Sequence, residues 1–315
     1  MTTTKKHRPR TAVYFKKALV IEKDAAILAS HLYLEGTEPT ITRLFLVKNG
    51  KWVTIGDLKD VIHAVARNVR VISPANGRPR MGLLGRRGLY REIDSGQQPR
   101  DVEIDIKKAG YLHDLRLIGN HLYACGVQNQ VHRQIGDEWH KIDQGTFSPL
   151  KGQIDRIFYA IDGFSEEDIY TVGKAGAIWH YDGNVWSQLE SPTNVHLYSV
   201  YASSSGDLFI GAGGGLIFRG NRSRGWVDIS DSNIATGSIN SITELDGKIY
   251  FASESGLIAL EDTRLVKVGP NSEERFPCYH VDAYHGSLWC VGNDNVFQFD
   301  GANWIQHICA DNVAK

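Results

Sequence analysis

The chain has 315 residues, 42% of them hydrophobic and 23% charged, with a formal net charge of −1. That composition is ordinary for a folded globular protein, and so small a net charge argues against binding nucleic acid or a membrane surface through overall charge. No apolar run approaches the roughly 20 residues that cross a bilayer as a helix. Nor does a signal-peptide core follow the basic N-terminus, because Lys16, Lys17 and Glu22 interrupt residues 12–23. Cytoplasmic residence is the expectation.

Residues 1–10, with Lys5, Lys6, His7, Arg8 and Arg10, read as a disordered basic tail, and 11–315 as one domain. Residues 11–17 are expected to add an outer strand to the last repeat and help close the structure. From residue 18 onward an aliphatic–aromatic pair recurs in what reads as a second strand: Leu32-Tyr33, Leu122-Tyr123, Ile169-Tyr170, Leu208-Phe209, Ile249-Tyr250 and Leu288-Trp289. The last three aromatic-to-aromatic intervals are 39, 41 and 39 residues. The 90 residues between Tyr33 and Tyr123 leave room for a weaker copy at Val69-Arg70-Val71-Ile72. A turn followed by tryptophan recurs in the same phase, at Trp52, Trp139, Trp186, Trp226 and Trp304.

The stretch 153–190 shows the unit best. Strands rich in branched and aromatic residues alternate with Glu166-Glu167-Asp168, Gly173-Lys174-Ala175-Gly176 and the hairpin signal Asp182-Gly183. Four short antiparallel strands per period of about 40 residues is the pattern of a β-propeller. Seven copies, beginning near residues 18, 61, 111, 154, 197, 239 and 278, predict an all-β, seven-bladed β-propeller with four antiparallel strands per blade. The second copy, about 61–93, is the least regular and carries a longer turn at 73–79.

Charge is unevenly spread. Between Arg67 and Arg100 eight arginines face two acids, Glu92 and Asp94, whereas between Asp228 and Asp300 twelve acids face four bases. Gly211-Ala212-Gly213-Gly214-Gly215 precedes a strand, not a helix, so it reads as a tight turn and not as a phosphate cradle. Twelve histidines fall in no zinc-binding frame, and no nucleophile elbow is present. His280 and His285 are the nearest approach to a ligand pair. No catalytic residue, metal or cofactor is assigned. The four cysteines, Cys125, Cys278, Cys290 and Cys309, are expected to be free thiols, because in the hairpin around His285-Gly286 the residue opposite Cys290 is Val281.

The loops joining fourth strands to the next blade share a face with those joining second to third strands. The candidate partner-binding residues there are Asp231, Glu254, Glu273, Glu274, Arg275 and Asp294, with Phe147 and Phe276 either as apolar anchors or as plugs between blades. The arc around Arg78, Arg80 and Arg100 is the alternative surface.

The degenerate blade marks, such as Asp182-Gly183-Asn184-Val185-Trp186 and Asp300-Gly301-Ala302-Asn303-Trp304, resemble those of propeller immunity proteins that bacteria pair with antibacterial effectors of type VI secretion, some of them nucleases. That resemblance implies a non-catalytic monomer. It would bind one cognate toxin 1:1 and occlude its active site, touching neither nucleic acid nor membrane. A scaffold or adaptor propeller, and a glycan-binding or hydrolytic one, are the alternatives.

Overall fold

The computed structural model describes residues 12–33, 38–72, 79–94, 97–106, 109–147, 156–270, 276–309 and 311. They form seven four-stranded antiparallel sheets, each built from four strands consecutive in sequence. The first strands are Ala12–Glu22, Ile62–Ile72, Leu112–Ile118, Phe158–Ser165, Leu197–Ala202, Ile239–Leu245 and His280–Tyr284. Each contacts the first strand of the next blade, and the last contacts Ala12–Glu22, so they surround a central axis. The chain is a seven-bladed β-propeller. Helix among the described residues amounts to short 3₁₀ turns such as Lys174–Gly176 and Gly213–Gly215. The second of these is the glycine-rich stretch. Gly214 has φ +71°, and a Cβ on Gly215 would come 2.3 Å from the Ala235 carbonyl, so glycine is required by conformation and by close approach.

The repeat marks have a packing cause. Each of the seven gaps between blades holds its own apolar cluster. Adjacent residues of a strand point to opposite faces. The aliphatic member of each mark therefore fills the gap behind its blade and the aromatic member the gap ahead. Leu208 packs with the fourth blade and Phe209 with the sixth, and Leu288 with the sixth and Trp289 with the first. The tryptophans of the fourth strands cap these clusters from outside: Trp52 lies 5.5 Å from Phe45, Trp139 5.2 Å from Tyr90 and Trp304 5.2 Å from Phe299.

Four expectations need correction. Residues 12–17 belong to the first strand of the first blade and not to the last blade. Closure is made by side chains and single hydrogen bonds. Phe15 N donates to Asn293 O, Val20 N to Asp282 Oδ2 and Gln298 Nε2 to Lys23 O, over the shared cluster that holds Phe15 and Trp289. In the second blade, residues 69–72 end the first strand, and the second strand is Pro79–Gly85. The turn at 73–78 and the tail 1–10 lie outside the described residues. In the first blade Leu32-Tyr33 sits at the far end of Ala25–Tyr33, and the residues in phase with the other marks are Ala26 and Ile27.

The fourth correction concerns the cysteines. Val281 is opposite Cys290, as the hairpin register requires, yet Cys278 and Cys290 form a disulfide with Cα atoms 6.0 Å apart. Cys278 precedes the ladder, where its N–H bonds Ser253 O of the sixth blade and Tyr279 N bonds Val291 O. The chain is out of ladder register there, and the offset brings Cys278 beside Cys290. Cys125 and Cys309 are buried and take no part in this disulfide.

Candidate partner-binding site

Strand order fixes two faces. Loops between blades and turns between second and third strands form the upper face; the other two sets of turns form the lower. Asp231, in the loop leaving the fifth blade, holds its turn by accepting Asn233 N at 2.9 Å. Glu254, in the upper turn of the sixth blade, packs over Gly237 of that same loop, where a Cβ would come 2.7 Å from Glu254 Oε2. Asp294 is exposed in the matching turn of the seventh blade. These three therefore share one sector of the upper face. Glu273, Glu274 and Arg275 lie outside the described residues. Phe276 is half-buried, its ring 5.2 Å from Phe297 and packed on the cluster between the sixth and seventh blades. Phe147 is on the upper face in a different sector, after the third blade, under Lys141 Nζ at 5.5 Å.

Asp228 ends the strand that leads into the loop of Asp231 and accepts Ser230 N, while the remaining described acids of the excess do not join the shared sector. Asp246, Asp262 and Asp300 sit in lower-face turns. Glu244 accepts Ser204 N, Glu261 pairs with Lys248, and Asp282 faces the axis. Part of the basic arc is on the lower side and paired locally, whereas Arg86 and Arg87 lie in the upper turn of the same blade. Arg80 and Arg100 begin the second and fourth strands of their blade. Arg80 pairs with Glu92 and Asp94, Arg91 with Asp101, and Arg100 with Asp137 of the third blade.

A more ordered arrangement surrounds the axis. In six first strands the register shifts by one residue near the upper end, and the extra residues are Lys16, His63, His113, Tyr159, Tyr198 and Asn240. Tyr279 holds the equivalent place in the seventh blade, just before His280–Tyr284. A bulge turns the side chain that alternation would point sideways, and here the result is a rosette. His63 stacks on His113 at 5.3 Å, His113 meets Tyr159 at 5.4 Å, Tyr159 meets Tyr198 at 5.2 Å, and Lys16 Nζ lies 5.5 Å from the Tyr279 ring. Burial pushes the His63 imidazole down to about 3, helped by His113, and His113 down to about 4. Both are neutral at pH 7.

Below the rosette lies a cavity of about 60 Å³, walled by Lys17, Asp114, Arg116, Ser199, Ser241 and His280 with the rosette's own Tyr159 and Tyr198. A second, about 350 Å³, lies toward the lower face between Arg116, Asp162, Tyr201 and Asp282. Burial lowers the Lys17 amine and raises the Asp162 carboxyl.

Several of these polar groups clasp one blade to the next. Asp114 Oδ2 accepts Ile161 N, Asp162 Oδ2 accepts Ala202 N, Ser199 and Ser241 donate to Ile239 O and Val281 O, and Asp282 accepts Val20 N. His63 Nδ1 donates to Leu112 O at 3.0 Å. The carboxylates on the axis are therefore structural. Replacing Asp162 by alanine leaves Ala202 N–H without its acceptor and should lower stability by about 1–3 kcal/mol, read as a shift in the urea midpoint; no shift would show that the clasp contributes nothing. Sequence reading missed both rosette and clasp, although in five of the seven blades a histidine, tyrosine, asparagine or lysine stands just before a polar residue, with Ala64 and Ala160 following it in the other two.

No protein-family profile matches the chain. The immune protein Tsi7 of Pseudomonas aeruginosa is 32% identical to it over 229 residues, 71% of this chain and 74% of that protein. Among solved structures, the WD40 propeller domain of Doa1 superposes with a TM-score of 0.64 at 11% identity, over 91% of this chain and 93% of that one. YCF48 bound to D1 peptide gives 0.63 at 12%, over 99% of both chains. Virginiamycin B lyase from Staphylococcus aureus gives 0.61 at 13%, over 79% of this chain and 84% of that one. At such identities these likenesses concern the fold alone.

Proposed function

The chain belongs to the family of the immune protein Tsi7, and from that premise we propose that it is an immunity protein that binds a cognate antibacterial effector and blocks it. The 32% identity over most of both chains carries this reading. The finer proposal is a cytoplasmic monomer that forms a 1:1 complex with a toxin delivered by type VI secretion. The toxin is a nuclease whose cationic cleft the propeller covers, and the propeller itself contacts no nucleic acid and catalyses nothing. A rigid ring of blades with polar upper loops suits inhibition by occlusion, since little order is lost on binding. The acids of the shared sector, Asp231, Glu254 and Asp294, suit a basic opposing surface.

The test is protection. Cells expressing a cognate effector, sought among the genes beside this protein's own, should die without the protein and grow with it, and the purified pair should form a 1:1 complex burying more than about 1,000 Å². Growth arrest despite co-expression, with no complex, would overturn the reading. Within a working pair, Asp231→Lys, Glu254→Lys and Asp294→Lys together should slow association about 10-fold at low salt and flatten its salt dependence, with dissociation changing less. Unchanged association would remove this sector from the interface.

A further inference from the structure

We propose that the rosette and the cavity beneath it form the centre of the effector-binding surface, and that they receive a protruding effector segment ending in a carboxylate, from an aspartate, a glutamate or a chain terminus. The proposal rests on the immunity reading and deepens it.

Three observations converge on it. The first is composition. Binding hot spots favour large, rigid, amphipathic side chains grouped at the middle of an interface, and Tyr159, Tyr198 and Tyr279 stand half-buried around one axial mouth with two neutral imidazoles between blades two and three. The second is polarity along the axis. The upper cavity carries Lys17 and Arg116 against Asp114, whereas the lower one carries Arg116 against Asp162 and Asp282. Asp114 is already engaged by Leu115 N and Ile161 N. The upper cavity thus sets two cationic side chains against one carboxylate, and the lower one sets one against two. The buried Arg116 Nε has no hydrogen-bond partner, and a buried donor of that kind favours an incoming acceptor.

The third is size. The upper cavity, about 60 Å³, has room for a few waters, since one needs about 10–15 Å³ of such space. A carboxylate with one methylene fits. The segment's stem would then stack on Tyr159 and Tyr198. A basic effector surface meeting the acidic sector, with one acidic prong at the axis, gives the contact two opposite charge signatures. That is a basis for telling one effector from another.

The experiment uses the full chain and the purified toxin domain of the neighbouring effector. Tyr159→Ala with Tyr198→Ala removes half-exposed side chains, so the variant should melt as the parent does. It should lose at least about 30-fold in affinity together with protection. Lys17→Met keeps most of the aliphatic stem and removes the charge. It should lose about 10-fold, mainly through faster dissociation. If the parent binds and protects while both variants stay within threefold of it, the rosette is not the interface and the immunity reading stands.

If the parent does not bind that effector, the immunity reading falls for that pair, and the site is judged by acetate alone. Acetate titrated against chloride at equal ionic strength should shift the Tyr159 and Tyr198 ring resonances saturably in the parent and not in Lys17→Met. No acetate-specific shift overturns the proposal.

Discussion

Trp289→Ala should lower the stability of the protein by about 3–5 kcal/mol, the ordinary cost of emptying a fully buried tryptophan site. Trp289 is 0% exposed, stacks on His307 at 4.5 Å, and fills the gap between the seventh and first blades against Val13, Phe15 and Val20. This gap is the one place where the ring depends on contacts between the two ends of the chain, because no strand is exchanged across it. The indole Nε1 has no hydrogen-bond partner. Phenylalanine therefore loses packing alone, and Trp289→Phe should cost less than half as much. Urea denaturation followed by circular dichroism measures both. Hydrogen exchange adds a positional reading, since Trp289→Ala should expose amides of Ala12–Glu22 and Ser287–Val291 before those of the fourth blade. Uniform loss of protection, or a cost below about 1 kcal/mol, would show that closure does not depend on this residue.

The blade count was legible in the sequence because it follows from packing that every blade repeats. An aliphatic residue facing back and an aromatic facing forward, at positions such as Ile169-Tyr170 and Ile249-Tyr250, are needed wherever two sheets meet face to face. Where one blade departs from that rule, the reading failed. In the second blade the residues in the gaps are Leu83 and Leu84, with no aromatic mark, so a run of branched residues at 69–72 was mistaken for the second strand.

Register was the larger obstacle. A bulge adds one residue and leaves only a weak mark in the sequence, yet it decides that His63, Tyr159 and Tyr198 turn toward the axis. The same kind of offset sets Cys278 beside Cys290. The acidic excess misled for a related reason. Consecutive turns of a blade alternate between faces, so neighbours in sequence such as Glu254 and Asp262 lie on opposite sides of the disc. Charge counted along the chain does not become charge gathered on a surface. The acids that do gather, Asp231 and Glu254, come from loops that touch across Gly237.

Acid should destabilise the fold well above the carboxylate range. Burial is the leading cause that lowers His31 to about 4, His63 to about 3, His113 to about 4 and His132 to about 4, and the cations Lys17 and Lys141 add to it at His63 and His132 respectively. In the unfolded chain each of these titrates near 6.5. Below that pH the unfolded state takes up protons that the native state refuses, so stability is full above about pH 6.5 and is lost as the pH falls toward 4. Each histidine contributes about 1 kcal/mol of loss between pH 7 and 5.5, and the four together about 3–5 kcal/mol. Asp143 and Asp162, whose carboxyls burial raises, act in the opposite direction, and their offset grows only as the pH approaches the carboxylate range. Urea midpoints at pH 7.0 and 5.5 measure the drop, and His63→Gln, which keeps a donor for Leu112 O, should shrink it by about 1 kcal/mol. Equal midpoints at the two pH values would mean that the buried imidazoles accept protons in the folded ring, and the neutral rosette would then become cationic under mild acid.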